Sequence, residues 1–149
     1  MAAELEVLSS QKDFSKEDPA EILEKIISAE YYAEKNNTIQ RHLKQAHLTD
    51  STARLQNINY DPSRKINRRQ VEQLITNDYI GSGHNILILG ATGCGKSFFG
   101  NALGINACEA GYRVIFTRMV ELLNSLSVAR AEGNISKLLK KFYRIDLLI

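Results

Sequence analysis

The chain has 149 residues, 44% of them apolar, and a formal net charge of +2. That length suits one modest domain with a helical attachment, and the apolar share allows a packed core. The small net charge excludes any claim of a polyanion partner from bulk charge alone, and no apolar run approaches a membrane span.

Charge is unevenly spread. Up to Thr38 acids lead, with Glu4, Glu6, Asp13, Glu17, Asp18, Glu21, Glu24, Glu30 and Glu34 against Lys12, Lys16, Lys25 and Lys35. From Ile39 to His84 bases lead, with Arg41, Lys44, Arg54, Arg64, Lys65, Arg68 and Arg69 against Asp50, Asp61, Glu72 and Asp78. Asp18-Pro19-Ala20-Glu21 reads as a helix start, with Asp18 as cap, Pro19 in the first helical position and Glu21 placed to reach back. The helix runs toward Gln45, with Ile22, Ile26, Ala29 and Ala33 on one stripe. Residues 48–67 read as a connector, punctuated by Thr, Asp, Ser, Asn and Pro62. A helix is expected over about Arg68 to Ile80, with Val71, Leu74 and Ile75 as its apolar face, ended by Gly81-Ser82-Gly83.

The pattern then changes. Asn85-Ile86-Leu87-Ile88-Leu89 predicts a strand buried on both faces. A helix from Lys96 to about Ala110 stops at Gly111, and Tyr112 to Thr117 predicts a second strand. Met119 to Arg130 is helical, with Val120, Leu123 and Leu126 as its inner face, and Gly133 breaks it. A helix over Ile135 to Tyr143 and a strand over Ile145 to Ile149 follow. Strand, loop, helix, strand, helix, strand gives an α/β class with a parallel sheet, preceded by a helical region. The expected divisions are a helical region 1–47, a connector 48–67 and a nucleotide-binding domain 68–149.

Gly90-Ala91-Thr92-Gly93-Cys94-Gly95-Lys96-Ser97 matches the phosphate-loop pattern G-x-x-x-x-G-K-[ST] in full. Gly93 and Gly95 let the backbone take positive φ and approach a ligand closely. The loop's N–H groups and the helix N-terminus then face phosphate oxygens. Lys96 supplies a charge to the β- and γ-phosphates, and the Ser97 hydroxyl is a ligand for Mg2+. The predicted ligand is ATP. Cys94 sits where a thiol can be activated, but the motif tolerates any small residue there. With Cys108 as the other cysteine and no ligand spacing among His42, His47 and His84, the residues suggest a reduced, cytoplasmic chain without a zinc site.

From about Asp18 to Ile149 the chain resembles the IstB-like ATPases, helpers of DNA transposition related to DnaC-type helicase loaders. The resemblance rests on Ala29-Glu30-Tyr31-Tyr32, Asn36-Asn37, Arg41-His42-Leu43-Lys44-Gln45-Ala46, Asn59-Tyr60-Asp61, Tyr79-Ile80, His84 to Ile88, and Ala107-Cys108-Glu109-Ala110-Gly111-Tyr112. It implies an AAA+-type P-loop fold, ATP with Mg2+, action on DNA with a transposase, and homo-oligomers in which a neighbour's arginine completes the site. A helicase loader or replication initiator of the same clan, with a replicative helicase as partner, is the alternative. A non-catalytic remnant that binds DNA or its partner is another. Arg41, Lys44, Arg64, Lys65, Arg68 and Arg69 are the candidate DNA-phosphate contacts.

Against that family, both ends look short. Met1-Ala2-Ala3 resembles an internal point of its N-terminal helices, and the strand at Asp146 to Ile149 stops before the Walker B acids that hold Mg2+ and orient water. The family sheet places a fourth strand beside the phosphate-loop strand, with the third strand beyond it. The expected sheet is therefore incomplete: either a gap remains or segments 85–89 and 145–149 pair directly, and stability is marginal. Efficient hydrolysis is not expected of this chain. Tyr60 and Ile80 are weak candidates as adenine neighbours.

Overall fold

A computed structural model describes residues 18–149, the side chain of Ser63 excepted. The acidic residues before Asp18, and the Met1-Ala2-Ala3 start, lie outside the described residues. Chain contacts group into two units, one up to Gln40 and one from Arg41 to Ile149.

Helix α1 spans Pro19–Gln45. It starts as the sequence dictates, with the Asp18 carboxylate accepting from the Ala20 N–H at 3.1 Å. Ile22, Ile26, Ala29 and Ala33 are half-buried, while Leu23, Ile27, Tyr31 and Tyr32 on the same helix are exposed.

The second unit begins at the last turn of α1, where His42 and Ala46 are buried. Its connector holds two single 3-10 turns, Leu55–Asn57 and Pro62–Arg64. Polar in composition, this segment still drives Ala53, Leu55 and Ile58 into the core. Two short helices follow. Helix α2 (Arg68–Ile75) is capped by Asn67, whose side chain accepts from the Gln70 N–H, and α3 spans Asp78–Gly81. The single helix expected over 68–80 is thus broken at Asn77, which takes φ 62°. A left-handed residue cannot continue a right-handed helix. The Asn106 amide fixes the break by donating to Ile75 O and Asn77 Oδ1, both at 3.0 Å.

Helix α4 (Lys96–Glu109) is the centre of the unit, with every residue from Gly100 to Ile105 buried. One core cluster joins Ala102, Leu103 and Ile105 to the connector and to Val71. A second joins Ala107 and Cys108 to Ala46 and Val114. Strand β1 (Val114–Ile115) pairs in parallel with β2 (Leu147–Leu148), in the register Val114 to Leu147 and Ile115 to Leu148. The pairing is extended by Thr117 N–H to Ile149 O and Ile149 N–H to Ile115 O, both at 2.8 Å. Between the strands lie α5 (Met119–Ala131) and α6 (Ile135–Phe142), a crossover of the kind parallel pairing requires.

Two expectations are corrected here. Segment 85–89 forms no strand, and no ladder partner exists for it among the described residues. It is buried on one face only: Ile86 and Ile88 pack on the core, while Leu87 and Leu89 are each 80% exposed. Of the two expected arrangements, the gap is the one observed, because β2 pairs with β1 and leaves 85–89 alone. In α5 the inner residues are Leu122, Leu126 and Ala129; Val120 and Leu123 point outward at 67% and 54% exposure. The apolar stripe was wide enough to be read in two rotations, and tertiary packing chose one.

Candidate functional site: the phosphate loop

The loop from Gly90 to Gly95 leads directly into α4. Gly93 and Gly95 have φ of 79° and 91°, the left-handed values their lack of a side chain permits. The loop's ends approach so closely that a Cβ on Gly90 would lie 2.7 Å from Cys94 Sγ. Gly95 is the N-cap of α4 and supplies no side-chain cap, and no acid stands in the first turn. The first N–H groups of any helix have no carbonyl partner within it. Those of Lys96, Ser97 and Phe98 therefore stay available, with the positive end of the helix dipole behind them.

Lys96 is folded over the loop. Its ammonium donates to Gly90 O at 3.0 Å and to Ala91 O at 2.6 Å. Ser97 is exposed at the same helix end, as are Ala91, Thr92 and Cys94 on the loop. Beside the loop lies a cavity of about 730 Å3, lined by Asn57, Ile58, Asn59, Ile66, Ile88 and Phe98 together with Gly90, Gly95 and Lys96. A cavity of this size, apolar with a few polar groups, suits a ligand larger than a bare phosphate.

The donors present fit a nucleotide's phosphates: open N–H groups, a lysine within the loop, and a hydroxyl for a metal. No other group of His, Cys, Asp or Glu among the described residues is arranged to hold a metal. Asp146 is committed elsewhere. Its Oδ2 accepts from the Arg113 N–H and Nε at 2.8 and 3.1 Å, and its Oδ1 from Nη2 at 3.0 Å. These bonds from Arg113 hold its carboxyl below the usual range.

The basic candidates are dispersed. Arg64 reaches the phosphate loop: its guanidinium donates to Asn59 O at 3.1 Å and to Cys94 O at 3.0 Å, and it lines the cavity. Arg68 pairs with Glu72 at 3.0 Å and lies over the Tyr60 ring, 5.6 Å from its centroid. Arg41, Lys44, Lys65 and Arg69 are exposed. Tyr60 and Ile80 pack against the two core clusters and do not line the loop cavity. Cys94 is exposed, whereas burial, then the neighbouring Glu109 charge, pushes the Cys108 thiol up to about 11.

Sequence reasoning offered Arg64 only as a DNA contact and missed Asn101. Arg64 lies in a charge run that reads as solvated surface, and nothing local marks its partner 30 residues on. Asn101, 1% exposed, ties the helix behind the loop to the connector. Its Oδ1 accepts from the Thr49 and Asp50 N–H groups at 2.9 and 3.2 Å, and its amide donates to Thr49 Oγ1 and Ser97 O at 2.9 and 2.8 Å.

A glycine-permitted loop, an uncapped helix N-terminus and a lysine over the loop define a P-loop nucleotide-binding domain in an incomplete α/β fold. The chain belongs to the IstB-like ATP binding protein family, whose model matches residues 1–149. It is 34% identical over 111 residues to the insertion-sequence IS1162 protein of Pseudomonas fluorescens, named for ATP binding, covering 74% of this chain and 48% of that one. A Sinorhizobium fredii protein, y4iQ/y4nD/y4sD, named in the same terms, is 34% identical over 131 residues, covering 87% and 44%. The IS5376 protein of Geobacillus stearothermophilus is 28% identical over 130 residues, covering 87% and 51%. The chain thus spans about half the length of the curated relatives it matches. Among the described residues, no helix is long and apolar enough to cross a membrane.

Proposed function

We propose that this chain binds ATP with Mg2+ at residues 90–97 and serves as a helper of DNA transposition, acting on DNA with a transposase. The observation that carries the reading is the loop itself. Gly93 and Gly95 hold left-handed φ, and Lys96 lies across the loop beside an uncapped helix end. The relatives' names, which join insertion sequences to ATP binding, support the biological setting.

In this reading Lys96 leaves its two carbonyl partners for the β- and γ-phosphates, and the Ser97 hydroxyl ligates Mg2+. The N–H groups at the start of α4 take the remaining phosphate oxygens. Hydrolysis by this chain is inefficient, because phosphoryl transfer needs carboxylates to hold the metal and orient water, and the loop cavity is lined by none. Homo-oligomers, a cytoplasmic setting and a division into 1–47, 48–67 and 68–149 complete the proposal. Of the six basic residues, Arg41, Lys44, Lys65 and Arg69 are the ones free to reach DNA phosphates.

The test is titration with a fluorescent ATP analogue and Mg2+. Lys96→Ala should weaken binding at least about tenfold, a difference of about 1.4 kcal/mol, with Tm retained. Equal affinity in parent and variant would overturn the assignment of the loop.

A further inference from the structure

A cavity of the second unit is remote from the phosphate loop in its lining. It has a volume of about 950 Å3 and lies between the last turn of α1, strand β1, and helix α6 with the segment after it. Its floor includes Val114, Ile115 and Leu138. Its walls carry Lys44, Lys137, Lys140, Lys141 and Arg144, and no Asp or Glu lines it. Arg113 also lines the cavity, but its guanidinium is bonded to Asp146. None of the other five has an ion-pair partner among the described residues.

Basic residues near a helix C-terminus are favoured by the dipole, which accounts for Lys140 and Lys141 by themselves. It does not account for five uncompensated cations from two separate elements around one cavity. A polyanion seated in the cavity would meet these cations together, and salt would screen that attraction. His42 lies among these groups. It is 8% exposed, lines the same cavity, and its Nδ1 is buried without a hydrogen-bond partner.

We infer that this cavity is a binding site for the phosphate backbone of DNA, with Lys44, Lys137, Lys140, Lys141 and Arg144 as contacts and His42 in its lining as a reporter of occupancy. The inference rests on the proposed action on DNA and adds a surface that lies mostly outside the basic run of residues 41–69; only Lys44 is shared. Lys137, Lys140 and Lys141 stand at i, i+3 and i+4 on α6, one face of one turn, a rise of about 6 Å. A single DNA strand carries a charge every 3.4 Å or so along the duplex axis, so this turn faces about two consecutive phosphates. A lone phosphate would leave most of the cavity empty; a backbone threads it.

The experiment measures binding of a fluorescein-labelled mixed-sequence duplex by anisotropy across a salt series. Three proteins are compared: the parent chain, the triple variant Lys137→Gln/Lys140→Gln/Lys141→Gln, and the double variant Arg118→Gln/Arg130→Gln, whose residues line neither this cavity nor the basic run. All five substituted residues are exposed, so folding is retained and is checked by Tm. Each lost phosphate contact lowers the salt slope by about 0.9. The triple variant should lose two to three such units, while the double variant keeps its slope closer to the parent's. In the 15N-histidine spectrum, the His42 signal, assigned with His42→Gln, should move when duplex is added to the parent. A triple variant with the parent's slope, or a His42 signal unmoved by duplex, overturns the site while leaving action on DNA standing. A parent with no salt-dependent DNA binding overturns both.

Discussion

Arg64 shows how one side chain can join two segments that sequence keeps apart. Its guanidinium bonds a connector carbonyl, Asn59 O, and a phosphate-loop carbonyl, Cys94 O. In an anion-binding loop the N–H groups turn toward the ligand, so the carbonyls must turn away and find donors of their own. Arg64 supplies that donor at Cys94, next to the N-cap of α4. Arg64→Ala should therefore raise the Kd for an ATP analogue about tenfold, or about 1.4 kcal/mol, with little change in Tm because the residue is exposed. Arg64→Lys should fall between, since an ammonium is a point donor and cannot span both carbonyls as a planar fork does. An alanine variant that binds as the parent does would show that the loop keeps its shape unaided. Asn101 makes a contrasting case, because it is itself buried and its four bonds tie the connector to the helix. Asn101→Ala removes the shared acceptor of the Thr49 and Asp50 N–H groups and should lower stability by about 1 kcal/mol, the typical net worth of such bonds. A urea unfolding midpoint equal to the parent's would refute that. Neither residue is legible in sequence, since each acts through a partner 30 or more positions away. Gly93, Gly95 and Lys96 were legible because their role is local: the spacing itself sets the φ values and the reach.

At the scale of elements, the helices were read well where the end signals were chemical. Asp18-Pro19 starts α1, and Gly111 and Gly133, at φ 96° and 71°, follow the ends of α4 and α5. The failures have one cause in common. A strand exists only through its neighbour, and residues 85–89 have the apolar composition of a strand without a ladder partner among the described residues. The break at Asn77 was hidden because Asn106, which stabilises it, lies on another helix. The one strand pair among the described residues is closed by an ionic clasp. Asp146 precedes β2, Arg113 precedes β1, and the two share three hydrogen bonds. The side-chain bond from Arg113 leads the causes that hold the Asp146 carboxyl below its ordinary value of 3.8. A carboxyl whose folded value is depressed adds stability above its unfolded value, and that stability is lost as pH falls through the folded one. Arg113→Ala should accordingly lower Tm at pH 7, by a gap constant from pH 5 to 8. The gap should narrow only as pH falls below the ordinary carboxyl range and close at lower pH still, where folded Asp146 takes up its proton. Tm measured against pH in both proteins decides it. A gap that persists unchanged to pH 2 would mean that Arg113 acts through packing and not through charge.

For the molecule as a whole, the segment before the phosphate loop governs behaviour in solution. Ile86 and Ile88 fasten it to the core, so its inner face is stable. Its outer face presents Leu87 and Leu89 at 80% exposure each, beside backbone groups without a ladder. An extended, apolar, unpaired edge is a template for another strand. The formal charge of +2 offers little repulsion to oppose association. The chain should therefore self-associate with rising concentration in sedimentation velocity, and Leu87→Gln/Leu89→Gln should return most of it to monomer. Because both leucines are already in water, the double variant should hold its Tm to within about 2 °C. The single variant Leu87→Gln should also bind the ATP analogue as the parent does, since Leu87, unlike Leu89, does not line the loop cavity. Should the parent remain monomeric at high concentration, the edge is not a pairing surface. Should the variant instead lose several degrees, Leu87 and Leu89 are packed in solution, and the outer face of this segment is covered after all.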